Sequence, residues 1–116
     1  MEDFKKDAED NKVMGILAYL GILVLVPIFA AKESLFARFH SNQGLILLIV
    51  AIVLGVAINI INAILIKVSY TLVFLTALLS IVIWLGILVF MIIGIINAAK
   101  GEMKELPIIG KYKILK

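Results

Sequence analysis

Gly44–Ile66 reads GLILLIVAIVLGVAINIINAILI, 23 residues without a charged side chain. An α-helix needs about 20 such residues to cross a hydrocarbon core about 30 Å thick. Two more runs of the same kind flank it: Val13–Ala31, 19 residues, and Val68–Ala99, 32 residues. The interruptions are a polar patch at Lys32–Gln43 and a lone Lys67. The pattern predicts an all-α integral membrane bundle with three transmembrane helices, over about 13–31, 44–66 and 70–99. The last run is about 48 Å long as one helix, at 1.5 Å per residue. A four-span alternative folds that run into a hairpin. Two full spans would need about 36 residues plus a turn, and no Pro, Asn or Gly lies between Val68 and Leu85.

With 116 residues, 64% of them apolar, the chain is one domain too rich in hydrocarbon to face water on all sides. Residues 1–12 form a charged lead-in, expected to be solvated and mobile; 13–99 form the membrane domain; 100–116 form a basic interfacial tail. There is no cysteine, which removes thiolate metal sites and thiol nucleophiles. The run 13–31 has an acidic flank and exceeds an ordinary signal-peptide core in length, so it reads as a retained span.

Within the patch KESLFARFHSNQ, Ser34 is placed to cap a helix whose apolar stripe is Leu35, Phe36 and Phe39. The expectation is a short interfacial helix between the first two spans, or an extension of the second. Pro27 removes one backbone donor and predicts a kink near the end of the first span. Counting Lys and Arg with three spans places Lys5, Lys6, Lys12 and Lys67 on one side. Lys32, Arg38 and the tail lysines Lys100, Lys104, Lys111, Lys113 and Lys116 fall on the other. The positive-inside rule then puts the tail in the cytoplasm of a multi-pass cell-membrane protein and the amino terminus outside. A hairpin in the last run would instead gather both termini and Lys67 on one side.

Asn59 and Asn62 lie three apart on one helix face, and Asn97 closes the last run. Amides at such places glue helices together or line a polar path. His40 is the one histidine, the apolar runs hold no Asp, Glu, Lys, Arg or His, and no phosphate loop, nucleophile elbow or zinc-protease motif occurs. Catalysis, cofactors, a metal and nucleic-acid binding are therefore not expected. The five tail lysines are expected to contact anionic lipid headgroups. The functional expectation is a non-enzymatic scaffold acting through a second copy or a membrane partner. The alternatives are a small transporter or ion channel lined by Asn59, Asn62 and Asn97, and a membrane-stress or peptide-immunity protein.

Arg38-Phe39-His40-Ser41-Asn42-Gln43-Gly44 opens an apolar run, a first span ends with Pro27 and Lys32, and Ile95-Ile96-Asn97-Ala98-Ala99-Lys100-Gly101-Glu102 precedes Leu106-Pro107. From about Asn11 to Ile114 these features resemble a family of small bacterial and archaeal membrane proteins. That family is distantly related to the twenty-kilodalton membrane subunit of the chloroplast inner-envelope protein-import translocon. The resemblance implies a translocation-related subunit, with Arg38, Phe39, His40, Asn42 and Gln43 as its signature loop and no catalytic role for them. The plant relative is drawn with four spans, one more than the apolar runs here support.

Overall fold

A computed structural model describes residues 2–114, with side chains from Phe4 onward. In order the elements are α1 (Glu2–Asp10), α2 (Lys12–Leu17), a 3-10 turn (Gly21–Val24), α3 (Leu25–Ala30), α4 (Leu35–Leu65) and α5 (Tyr70–Ala99). No strand occurs among the described residues. Among the described residues, only α4 and α5 are long and apolar enough to cross a membrane by length and composition. They form an antiparallel hairpin through the tight link 66–69, and Ser69 caps α5 by accepting from Thr71 N–H.

The first apolar run is not a span, which corrects the three-helix expectation to two. It breaks at Leu20–Gly21, where Gly21 has φ +64°, a backbone region that glycine alone enters without strain. Ahead of the break α2 packs flush on the hairpin: a Cβ on Gly44 would stand 1.8 Å from the Ala18 carbonyl oxygen, and one on Gly15 would stand 2.8 Å from the Phe36 ring. The tip at Gly21 lies beside Leu47, Leu48, Ala51, Ile87 and Met91. The chain then returns through α3 to where it started, because Asp7, ahead of the run, bonds Ser34, behind it, at 2.5 Å. Residues 13–31 therefore enter and leave at one end of the hairpin.

Pro27 consequently does not kink a span. It occupies the first turn of α3, where its missing N–H has no intrahelical partner to lose. Nor is there a separate interfacial helix between spans: the polar patch forms the opening turns of α4 itself, capped by the Ser34 hydroxyl, which accepts from Ala37 N–H. The lead-in is likewise a helix, and its Ala8 is buried in the core.

Burial is confined to one end. Phe36, Ala37, His40, Ser41, Gln43, Ile46 and Leu47 of α4 meet Ala98 of α5, Tyr19 and Leu106 there. Toward the tip, large apolar side chains such as Ile52, Val56, Ile60, Leu78 and Val82 stand exposed on both helices. The three-span reading put the chain's ends on opposite faces, whereas α1 and the tail both pack at this buried end: a Cβ on Gly101 would sit 3.4 Å from Ala8.

Candidate functional site: a polar knot at the base of the hairpin

The first turns of α4 carry His40, Ser41, Asn42 and Gln43, all buried, just ahead of the apolar stretch that begins at Gly44. Polar groups buried in this way must be hydrogen-bonded to be tolerated. For His40, Asn42 and Gln43 the partners come from the tail and from the re-entrant segment; the buried Ser41 hydroxyl has none among the described residues.

Helix α5 ends in a glycine cap that aims the tail. Gly101 has φ +73°, Glu102 N–H donates to the Asn97 carbonyl at 2.9 Å, and Gly101 N–H donates to that of Ala98 at 3.0 Å. This is the paired 6→1 and 5→2 pattern of a left-handed helix stop. It turns the Glu102 carbonyl onto His40, whose Nε2–H donates to it at 2.8 Å. With Nε2 protonated, Nδ1 is the acceptor for the Tyr19 hydroxyl, 2.6 Å away. Phe36, Phe39 and Tyr19 all meet the imidazole edge-on, at centroid distances of 4.6, 5.2 and 5.5 Å. Burial in this aromatic cage lowers the His40 pKa to about 4, against the smaller opposing pull of the Glu102 carbonyl. Burial also pushes the Tyr19 phenol upward, so both members of the pair are neutral at pH 7.

Gln43 clamps a turn. Its Oε1 accepts from Leu106 N–H at 2.8 Å and its Nε2 donates to the Gly110 carbonyl at 2.9 Å. Between those two contacts Ile109 N–H reaches the Pro107 carbonyl at 2.7 Å, with Ile108 at φ +67°. A γ-turn with positive φ at a β-branched residue is a strained conformation. Asn42 repeats the device one step further, donating to the Tyr112 carbonyl at 3.1 Å and accepting from Ile114 N–H at 2.6 Å. Asp7 completes the knot from the other side. Besides Ser34 it accepts from Phe36 N–H at 3.0 Å and from the Asn11 amide at 2.9 Å, placing a carboxylate at the N-terminus of α4, where the helix dipole favours it.

The signature-loop residues thus converge in part. His40, Asn42 and Gln43 point into the knot, Phe39 packs on His40 under Lys113 at 5.1 Å, and Arg38 stays at the surface, half-buried. The three asparagines of the helices do not converge. Asn59 is exposed and bonds its own helix at the Gly55 carbonyl, 2.8 Å away; Asn62 accepts from the Thr76 hydroxyl of α5; and Asn97 is buried near the knot. Of the tail lysines, Lys104 pairs with Glu102 at 3.0 Å and Lys113 with Glu105 at 2.6 Å. Lys100 and Lys111 stand exposed, and Lys116 lies outside the described residues. Sequence reading passed over Tyr19 and Asp7. The lone hydroxyl-bearing side chain inside an otherwise apolar run was the available signal for the first. Nothing distinguished Asp7 from the four other acids of the lead-in.

The hairpin, and the knot apart from Asp7 and Ile114, lie within the region, residues 10–113, that matches the magnetosome magnetite crystal formation protein family. The chain belongs to that family. Neither the curated proteins nor the solved structures compared with it contain a match. No finding supports the relation to the chloroplast import subunit. Among the described residues, no three His, Cys, Asp or Glu side chains come together in a group able to hold a metal ion. This magnetosome-family fold thus gathers its polar chemistry in amides and backbone groups.

Proposed function

We propose that the chain is a non-enzymatic scaffold of a biological membrane. In this reading the α4–α5 hairpin crosses the bilayer twice and the knot lies on the cytoplasmic face. The charge distribution carries the proposal. Lys5, Lys6, Lys12, Lys32, Arg38, Lys100, Lys104, Lys111 and Lys113 all belong to segments at the knot end, and Lys67 sits alone at the tip. Such asymmetry across two spans fixes orientation strongly, with the basic end inside. Both termini are then cytoplasmic, and residues 13–31 dip into the same leaflet and return. Irregular backbone at that depth is tolerated where protein covers it; Ala18, Tyr19 and Val24 are fully covered, while Leu20, Ile22 and Leu23 of the turn stand exposed.

The family's description supplies the process, magnetite crystal formation in the magnetosome. We take the contribution of this chain to be architectural. The one histidine is committed to two internal hydrogen bonds, and the amides of Asn42 and Gln43 hold the chain's own tail. The bare upper hairpin is left to lipid and to association with further copies or a membrane partner. Single-cysteine labelling of this cysteine-free chain tests the topology in sealed membranes: Glu9→Cys and Lys111→Cys should react from the same side and Ser69→Cys from the opposite one. Labelling of positions 9 and 111 from opposite sides would overturn it. For association, a species that stays monomeric under crosslinking at every expression level would remove the scaffold reading while leaving the topology intact.

A further inference from the structure

Helix α1 does not merely cover the end of α5; the two enclose a groove of about 610 Å³ lined by Phe4, Lys5, Ala8, Glu9, Lys12, Lys100 and Gly101. The volume is within the range of small-ligand sites. Lys5 of α1, Lys12 at the start of α2 and Lys100 at the C-cap of α5 all line it. None of the three has a salt-bridge partner among the described residues, although the nearby tail lysines Lys104 and Lys113 are paired with glutamates. Three lysines against Glu9 leave the rim at +2. The floor, by contrast, is apolar: Phe4, the Ala8 methyl and the Gly101 backbone. The carbonyl end of α5 opposes an anion here with about half a charge, less than the rim supplies, and its Ala98 and Asn97 carbonyls are already occupied by Gly101 and Glu102 N–H.

From this convergence we propose that the groove between α1 and the end of α5 binds a phosphate-bearing anion, with Lys5, Lys12 and Lys100 as its ligands. The proposal rests on the membrane reading above for one of two possible sources. In that reading the groove opens where the apolar part of α5 ends, at headgroup depth, so an anionic phospholipid places its phosphate among the lysines and its glycerol on Phe4. A free phosphate is the other source. Lysines bind phosphate as point charges in either case, and the apolar floor favours the lipid.

The test uses the full chain in neutral detergent, with native mass spectrometry counting retained dioleoyl-phosphatidylglycerol against dioleoyl-phosphatidylcholine. Wild type should retain one phosphatidylglycerol in preference to phosphatidylcholine. Lys5→Gln/Lys12→Gln/Lys100→Gln should lower that retention about tenfold or more, since each lysine near an anionic surface is worth a factor of several. Lys6→Gln/Lys32→Gln/Lys111→Gln, with the same change of net charge outside the groove, should lower it less than about twofold. Equal losses in the two triples would mean diffuse attraction and overturn the site, as would undiminished retention in the first. If the first triple loses helix content, the single Lys100→Gln, on an already capped helix, is read in its place. Inorganic phosphate that displaces the lipid and is itself retained identifies the free anion as ligand; failure to displace identifies the headgroup. Flotation of wild type with phosphatidylcholine vesicles is the separate readout of the membrane reading. A chain that does not float refutes that reading, whereas one that floats without headgroup preference refutes only the groove.

Discussion

Replacing Gln43 with leucine keeps the bulk of a buried side chain while deleting both ends of the clamp. Leu106 N–H then loses its partner, 2.8 Å away, while the Gly110 carbonyl loses the Gln43 amide at 2.9 Å and keeps the Lys113 ammonium at 3.1 Å. A buried donor left unpaired costs about 1–3 kcal/mol, so the docked tail is raised by roughly that amount if it stays in place. The tail has an escape that the helix lacks, because it can lift into water and recover its hydrogen bonds there. The strain at Ile108, φ +67°, favours that escape. The cost therefore appears as local opening and not as global unfolding. Since a factor of ten in an equilibrium is about 1.4 kcal/mol, that range corresponds to about 5- to 150-fold faster amide exchange. Hydrogen exchange read by mass spectrometry on the detergent-solubilised chain should show this acceleration over 106–112, while 46–62 of α4 change by less than about twofold. Asn42→Leu should free 112–114, where it holds the Tyr112 carbonyl and Ile114 N–H. Unchanged protection of the Leu106 amide in Gln43→Leu would refute the clamp, and loss of protection in α4 as well would refute its locality.

Gly94→Ala puts a Cβ 2.2 Å from the Tyr19 ring, so it should lower thermal stability by about 1–3 kcal/mol, as overpacking does; Gly86→Ala meets nothing within 4 Å and should be neutral or stabilising by up to about 1 kcal/mol. Acidification acts through His40. Its folded pKa of about 4 lies below the ordinary 6.5, so above pH 6.5 the group is neutral folded or unfolded and adds no pH dependence. As pH falls from 6.5 to 4 only the unfolded chain takes the proton, and stability drops by roughly 3 kcal/mol in total. His40→Gln should abolish that part of the slope between pH 7 and 4.5 in unfolding titrations, and an unchanged slope would exclude His40 as its source. Ile108→Gly should stabilise tail docking by about 1 kcal/mol by relieving the positive φ, read as slower exchange of the Leu106 amide. Asn62→Leu removes the contact to Thr76 and should cost about 0.6–2 kcal/mol of hairpin stability, whereas Asn59→Leu, which loses only a bond to its own helix, should cost less in the same unfolding assay.

Where a run of hydrocarbon is continuous, composition alone dictates the outcome, which is why α4 and α5 were legible. Their backbone polarity is satisfied within the helix, and nothing else in the chain competes for it. The run 13–31 has the same composition and a different fate, because its path is decided by close approach. Gly15, Gly44 and Gly94 each leave out a Cβ where another segment passes, and the reason for each lies in a partner far along the chain: Phe36, Ala18 and Tyr19. A helix-length count cannot see such pairings. It reads three glycines as weak helix formers, although here they are the surfaces on which a re-entrant segment docks. Gly21 and Pro27 were local hints of a break, and their meaning depended on whether the run had to reach the far side. The charges held that answer. Under three spans Lys and Arg divide seven against four, a weak bias, while in the hairpin every described Lys and Arg but Lys67 belongs to a segment at one end. On the proposed membrane reading, that segregation is what the positive-inside rule favours. The knot was half legible for a related reason. His40, Asn42 and Gln43 were conspicuous as polar residues opening a greasy helix. What they hold is backbone of the tail, at Glu102, Leu106, Gly110, Tyr112 and Ile114, and backbone carries no residue-type signal from which a partner could be named.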